Sequence, residues 1–101
     1  MATLESLTAT IRTRAAVAPR LGYRVKFALN EGGVILWDGT ASPATVVNDD
    51  GAADTTLKLS LDSLEKMVAG GLDPTFAYMT GKLKVDGSLG VAMKLAAMLG
   101  D

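Results

Sequence analysis

Apolar and polar positions change period several times along this chain, and each change marks an element. Leu4, Leu7, Ile11, Ala15 and Ala18 recur at spacings of three and four, the stripe of an amphipathic helix. Thr3 is placed to cap its start, Glu5 falls in the first turn, Arg12 and Arg14 lie toward its end, and Pro19 stops it. Tyr23, Val25, Phe27 and Leu29 then alternate with Arg24, Lys26 and Ala28, the period of a half-buried strand. Glu31-Gly32-Gly33 turns the chain, and residues 34–38 return as a second strand. The length of that turn decides which side of the second strand faces inward. A two- or four-residue loop would set Asp38 on the face of Val25 and Phe27, where an unpaired carboxylate is costly. A three-residue Glu31-Gly32-Gly33 loop, with Gly33 left-handed, turns Ile35 and Trp37 inward and Asp38 outward. Val34 and Leu36 are then left on the outer face.

Pro43 precedes a weak third strand over residues 44–48, and Asp49-Asp50-Gly51 is a turn. Residues 55–61 alternate again, with Leu57, Leu59 and Leu61 on one side. Ser60 or Asp62 begins a helix carrying Leu64, Met67 and Val68, closed by Gly70-Gly71. Asp73-Pro74 is a helix-start pair with proline at the first helical position, so residues 74–79 form a short helix. Residues 81–87 make a fifth strand with Leu83 and Val85 pointing one way, and Ser88 caps a last helix over residues 89–99. The order is helix, three strands, crossover, strand, two helices, strand, helix. Three strands in succession argue against an alternating parallel fold and for an α+β layer. The 101 residues suffice for one core, so residues 1–101 are expected to be a single domain.

The last helix breaks the usual pattern. Lys94 is its one charge, while Val91, Ala92, Met93, Leu95, Ala96, Ala97, Met98 and Leu99 cover nearly every face. A surface helix should show a stripe, and at about 17 Å this one is too short to cross a bilayer. It is buried centrally, covers an apolar ligand, or meets a partner or membrane surface. Met67, Met79, Met93 and Met98 fall in the helices of the second half, as core filler or as an adaptable binding surface. Charge is segregated too: residues 12–26 hold five bases and no acid, and residues 30–54 hold five acids and no base. These are two solvated surfaces, or a basic rim for an anionic headgroup or phosphate.

Composition removes most chemistry. The chain has no Cys and no His, which excludes disulfides, thiolate nucleophiles, His-based metal sites and His-dependent triads. A net charge of −1 argues against a nucleic-acid partner. Tyr78 and Lys82 are separated by a glycine, Asp62 and Glu65 belong to a helix start, and Gly81-Lys82-Leu83-Lys84 lacks the glycine spacing and the Ser or Thr of a phosphate loop. No enzyme activity and no cofactor are expected. With neither signal-peptide pattern nor spanning segment, a cytoplasmic protein is expected. Hydrophobic residues make up 49% of the chain and mean hydropathy is +0.27, an aliphatic excess for so short a domain.

Leu59-Ser60 through Gly70-Gly71-Leu72-Asp73-Pro74, then Gly81-Lys82-Leu83-Lys84-Val85-Asp86-Gly87, then Val91-Ala92-Met93-Lys94-Leu95 resemble the sterol carrier protein type 2 family. The resemblance implies a five-stranded mixed, mainly antiparallel sheet with helices on one face, enclosing an apolar tunnel. It implies non-catalytic carriage of sterols, fatty acids, acyl-CoAs or phospholipids. Carried over by position, the family's lining falls on Ile11, Arg14, Val25 and Phe27, on Ile35, Trp37, Leu64 and Met67, and on Leu83, Leu95, Met98 and Leu99. Arg14 would stand at the tunnel mouth and pair a carboxylate or phosphate. The peroxisomal C-terminus of animal members is missing, which points to a stand-alone, bacterial form. The expected partners are a lipid and, transiently, a membrane surface, with the domain a monomer. The alternative is a protein-interaction or homodimerisation module built on the apolar C-terminal helix. An empty rigid cavity of about 300 Å³ would cost roughly 7 kcal/mol, against a total stability of roughly 5–15 kcal/mol. The free protein is therefore expected to be partly collapsed or mobile around Leu89–Leu99 and stiffened by lipid.

Overall fold

In a computed structural model of the chain, residues 3–18, 21–41 and 43–99 are described. The elements are α1 (Leu4–Ala15), β1 (Arg24–Leu29), β2 (Val34–Asp38), β3 (Thr45–Val47), β4 (Thr55–Leu59), α2 (Leu61–Val68), α3 (Pro74–Met79), β5 (Leu83–Gly87) and α4 (Leu89–Leu99). One sheet runs in the order β3-β2-β1-β4-β5, parallel between β1 and β4 and antiparallel elsewhere. This is the five-stranded mixed α+β architecture.

Local chemistry explains most boundaries. The Thr3 hydroxyl accepts from the Ser6 N–H, and Ser6 reciprocates to the Thr3 N–H, a capping box that opens α1. Helix α1 ends at Ala15, so Ala18 packs against the core from beyond it; Pro19 lies outside the described residues. Strand β1 begins at Arg24 and leaves Tyr23 exposed. Ser60 caps α2, so β4 stops at Leu59 and Leu61 becomes helical. The Asp73 carboxylate caps α3 by accepting from the Phe76 N–H at 3.0 Å.

The β1–β2 loop is three residues long but sits one position earlier than expected. Leu29 N–H donates to the Gly33 carbonyl and Gly32 N–H to the Leu29 carbonyl, so the loop is Asn30-Glu31-Gly32. Both Gly32 (φ +97°) and Gly33 (φ +94°) are left-handed, the turn-plus-bulge geometry of a three-residue hairpin. Parity is unaffected: Val25 pairs with Trp37 and Phe27 with Ile35 on the inner face, and Arg24 pairs with Asp38 on the outer.

The outer face, where Val34 and Leu36 stood unexplained, is roofed. The connection from edge strand β3 to β4 must cross β2 and β1. Gly51 comes against Leu36, where an added Cβ would lie 3.4 Å from its Cδ2, and Lys26 Nζ meets Asp50 at 2.6 Å. Asp54 brackets the Arg24 backbone, its carboxylate taking the N–H and its own N–H meeting the carbonyl. Arg24 pairs with Asp38 at 3.5 Å. The basic and acidic blocks thus meet across this face instead of forming separate surfaces.

All four helices stand with the inner face. Leu7, Ile11 and Ala15 of α1, Leu64, Met67 and Val68 of α2, and Ala92, Leu95, Ala96 and Leu99 of α4 join Phe27, Ile35, Trp37, Leu57, Leu59 and Leu83 in one core. In α4 the buried positions fall at spacings of three and four. The helix is therefore one-sided and its apolar coat conceals an ordinary stripe. Leu89 is exposed, and Val91, Met93 and Met98 are half-buried, which rules out a central position. No helix among the described residues is long and apolar enough to cross a membrane.

Candidate functional site: a recess between α2 and α4

Helix α2 ends in a Schellman turn. Gly71 N–H donates to the Lys66 carbonyl and Gly70 N–H to the Met67 carbonyl, with Gly70 at φ +82°. The chain then runs through Leu72 and Asp73 into Pro74. Opposite this turn, α4 presents Ala96 and Ala97. Where a glycine faces two alanines side chains are missing, and a recess of about 280 Å³ opens there, lined by Met67, Gly70, Leu72, Asp73, Pro74, Ala96 and Ala97. It lies at the seam between α2 and α4, and its floor, Met67, Leu72 and Ala96, belongs to the core.

Ligand pockets for drug-sized molecules occupy roughly 300–1,000 Å³, so the recess holds a ring or part of an acyl chain, and a whole chain requires the layers to part. Because it opens to solvent, the penalty worked out for an enclosed void does not apply in full.

Of the residues expected to line a tunnel, Met67 lines the recess. Ile11, Val25, Phe27, Ile35, Trp37, Leu64, Leu83, Leu95 and Leu99 are brought together in the core behind it, each at 1% exposure or less. Met98 packs half-buried against that core. Arg14 is half-buried too, and its Nη2 donates to the Val68 carbonyl at 3.1 Å. It therefore holds the C-terminal end of α2, beside the turn that walls the recess, and is not an ordinary solvated arginine. The sequence reading did not single out Gly70, Leu72, Asp73, Pro74, Ala96 or Ala97 as lining. The Gly-Gly-Leu-Asp-Pro run was visible as a helix boundary, but which helix it would face was not.

Electrostatically the recess is quiet. Among the described residues Asp73 is its one charged lining residue, and its carboxylate is occupied as a cap. Among the described residues no group of carboxylates is arranged to hold a metal ion. Such a site can bind apolar matter; it offers no nucleophile beside a base.

Residues 3–100 match the SCP-2 sterol transfer family. The chain belongs to that family. Hydroxysteroid dehydrogenase-like protein 2 of Xenopus laevis is 38% identical over 71 residues, 70% of this chain and 15% of that protein. Its Homo sapiens counterpart is 40% identical over 47 residues, 46% of this chain and 11% of that protein. The chain thus spans at most 15% of the length of these curated relatives. Among solved structures, sterol carrier protein 2 of Aedes aegypti in complex with the C16 fatty acid palmitate is similar, with a TM-score of 0.77, 22% identity, and coverage of 98% of this chain and 96% of that one. The apo form of sterol carrier protein 2 from Yarrowia lipolytica has a TM-score of 0.72 at 24% identity, covering 93% and 87%. These likenesses show that the family's fold is the fold of this chain.

Proposed function

We propose that this domain binds and carries a lipid without chemical change to it: a fatty acid, an acyl-CoA, a phospholipid or a sterol-like molecule. The observation that carries the reading is the recess at the α2–α4 seam, whose floor of Met67, Leu72 and Ala96 belongs to the core. A lipid tail entering there would displace α4 outward and line itself with Leu64, Met67, Leu95, Met98 and Leu99, extending toward Ile11, Val25, Phe27, Ile35, Trp37 and Leu83 as a tunnel. Arg14, at the end of α2, would pair the anionic head. A tail of about fourteen methylenes gains roughly 11 kcal/mol at about 0.8 per group, and binding offsets roughly 4–15 kcal/mol of that. Affinity is thus moderate and release reversible, as a carrier needs.

A transient membrane contact fits the same geometry. Pro74 walls the recess, while Phe76, Tyr78 and Met79 of the same short helix are exposed, Met79 to 77%. Aromatic side chains beside Lys82 suit a headgroup boundary, and would set the recess against its lipid source. A cytoplasmic monomer goes with this reading. The same exposed side chains, with Leu89, favour a homodimer or partner interface as the second reading.

Native mass spectrometry of gently purified protein, followed by organic extraction, tests the proposal. A monomer carrying lipid is expected, with a Tm that rises on saturation with palmitate or palmitoyl-CoA. A lipid-free dimer with an unmoved Tm supports the second reading and overturns the first.

A further inference from the structure

Trp37 is wholly buried, yet its indole Nε1 has no hydrogen-bond partner among the described residues. Almost every buried donor in a native protein is paired, and an indole nitrogen can only donate. It occupies the inner face near the end of β2, opposite Val25 of β1 and Val46 of β3. Gly39 packs closely beside this nitrogen, where there is no room for a side chain. A Cβ there would lie 3.2 Å from Nε1, 2.9 Å from Leu21 Cβ and 2.7 Å from the Tyr23 carbonyl oxygen. Its φ is not in the left-handed region, so glycine serves space here and not backbone conformation. Positive charge stands nearby, because Arg12 donates through Nε and Nη2, at 3.2 and 2.7 Å, to the carbonyl of Val46, the residue facing Trp37.

We infer that Trp37 is the polar anchor of the lipid site, its N–H donating to an oxygen of the ligand. The inference rests on the lipid-carrier reading and adds to it the group that would receive a ligand oxygen. The cargo is an oxygen-bearing lipid, with a carboxylate, ester carbonyl or hydroxyl that enters the layer, and not a plain hydrocarbon. A ligand oxygen reaching Nε1 would pair a donor that no protein group among the described residues pairs. Arg12, held at the Val46 carbonyl, adds to the pull on an anionic oxygen and little to that on a neutral one.

The chain has a single tryptophan, so its emission reports on the surroundings of this indole and no other. Palmitate, methyl palmitate and hexadecane, each delivered from cyclodextrin, are titrated into the full chain, with binding followed independently by native mass spectrometry. Palmitate and methyl palmitate are expected to shift the emission to the red, and hexadecane to bind without doing so. Trp37→Phe, which keeps an aromatic ring and removes the donor, is expected to weaken palmitate about tenfold and to leave hexadecane binding within about twofold. Palmitate that binds with unchanged emission overturns the inference while the carrier reading survives. So does an equal loss of palmitate and hexadecane in Trp37→Phe. Failure of all three probes to bind overturns the carrier reading and the inference with it. The emission measurement needs no variant, so it decides the matter even if Trp37→Phe does not fold.

Discussion

Replacing Ala97 with Leu fills the recess without touching the core behind it. Ala97 lines the recess from an exposed position on α4, and leucine is almost as good a helix former as alanine, so the helix itself is not perturbed. The substitution adds three carbons. At about 0.8 kcal/mol per buried methylene, full burial would contribute about 2.4 kcal/mol. The recess is open on one side, and about 1 kcal/mol is the expected gain for the free protein. In a domain of this size that is a rise in Tm of about 4–8 °C. The same space is denied to an acyl chain, so palmitate should bind about four- to sixtyfold more weakly, the equivalent of one to three lost methylene contacts. Thermal unfolding and isothermal titration with palmitate measure both effects. Ala9→Leu, at an exposed position of α1, adds the same carbons away from the recess and should change neither. Unchanged palmitate affinity in Ala97→Leu would show that the lipid does not use this recess. A lowered Tm would show that the space is too tight to accept the side chain.

Arg14→Met should weaken palmitate more than a neutral sterol in displacement assays, and equal losses would remove Arg14 from headgroup recognition. Because Arg14 also holds the Val68 carbonyl, a loss of about 1 kcal/mol of stability is expected alongside. Thr55 is buried, and its hydroxyl lies 3.1 and 3.2 Å from the carbonyls of Asp86 and Ser88, tying β4 to the start of α4. Thr55→Val should cost about 1–2 kcal/mol in denaturant unfolding and raise amide exchange in the first turn of α4; unaltered exchange would mean that the helix is held elsewhere. Asp38 titrates below its ordinary value of 3.8, chiefly because the Thr40 hydroxyl donates to its carboxylate, aided by the Thr40 N–H and Arg24 and opposed by desolvation. A lowered folded pKa means stability that is present above the ordinary value and is lost as pH falls through the folded one. Asp38→Asn should therefore be less stable than the native chain at neutral pH, by under about 1 kcal/mol for so exposed a pair. The gap should close below about pH 4, and a gap that persists into strong acid would refute the assignment.

Most helix starts, and the parity of the β1–β2 hairpin, were legible from neighbours within a few residues. Thr3, Ser60, Asp73 and the Gly70-Gly71 pair act on backbone groups three to five positions away, and the alternation of Val25 and Phe27 with Arg24 and Lys26 needs no knowledge of the rest of the chain. The carboxylate of Asp38 alone was enough to choose the parity of the hairpin, because burying it unpaired costs more than any turn preference. The family's motifs carried the five-stranded mixed sheet and the lipid reading further than periodicity could.

What tertiary structure decided lies between segments distant in sequence. The charge blocks read as separate surfaces until the crossover laid Asp50 and Asp54 against Lys26 and Arg24. Apolar coating of α4 did not reveal which stripe, Ala92-Leu95-Ala96-Leu99, would be buried. That choice depends on where β4, β5 and α2 stand beneath the helix. Nor did it reveal that two alanines would face a glycine turn and leave a hollow. Local pattern is set by backbone hydrogen bonds a few residues apart, whereas a recess is a mismatch of shape between two surfaces that meet only after the chain has closed.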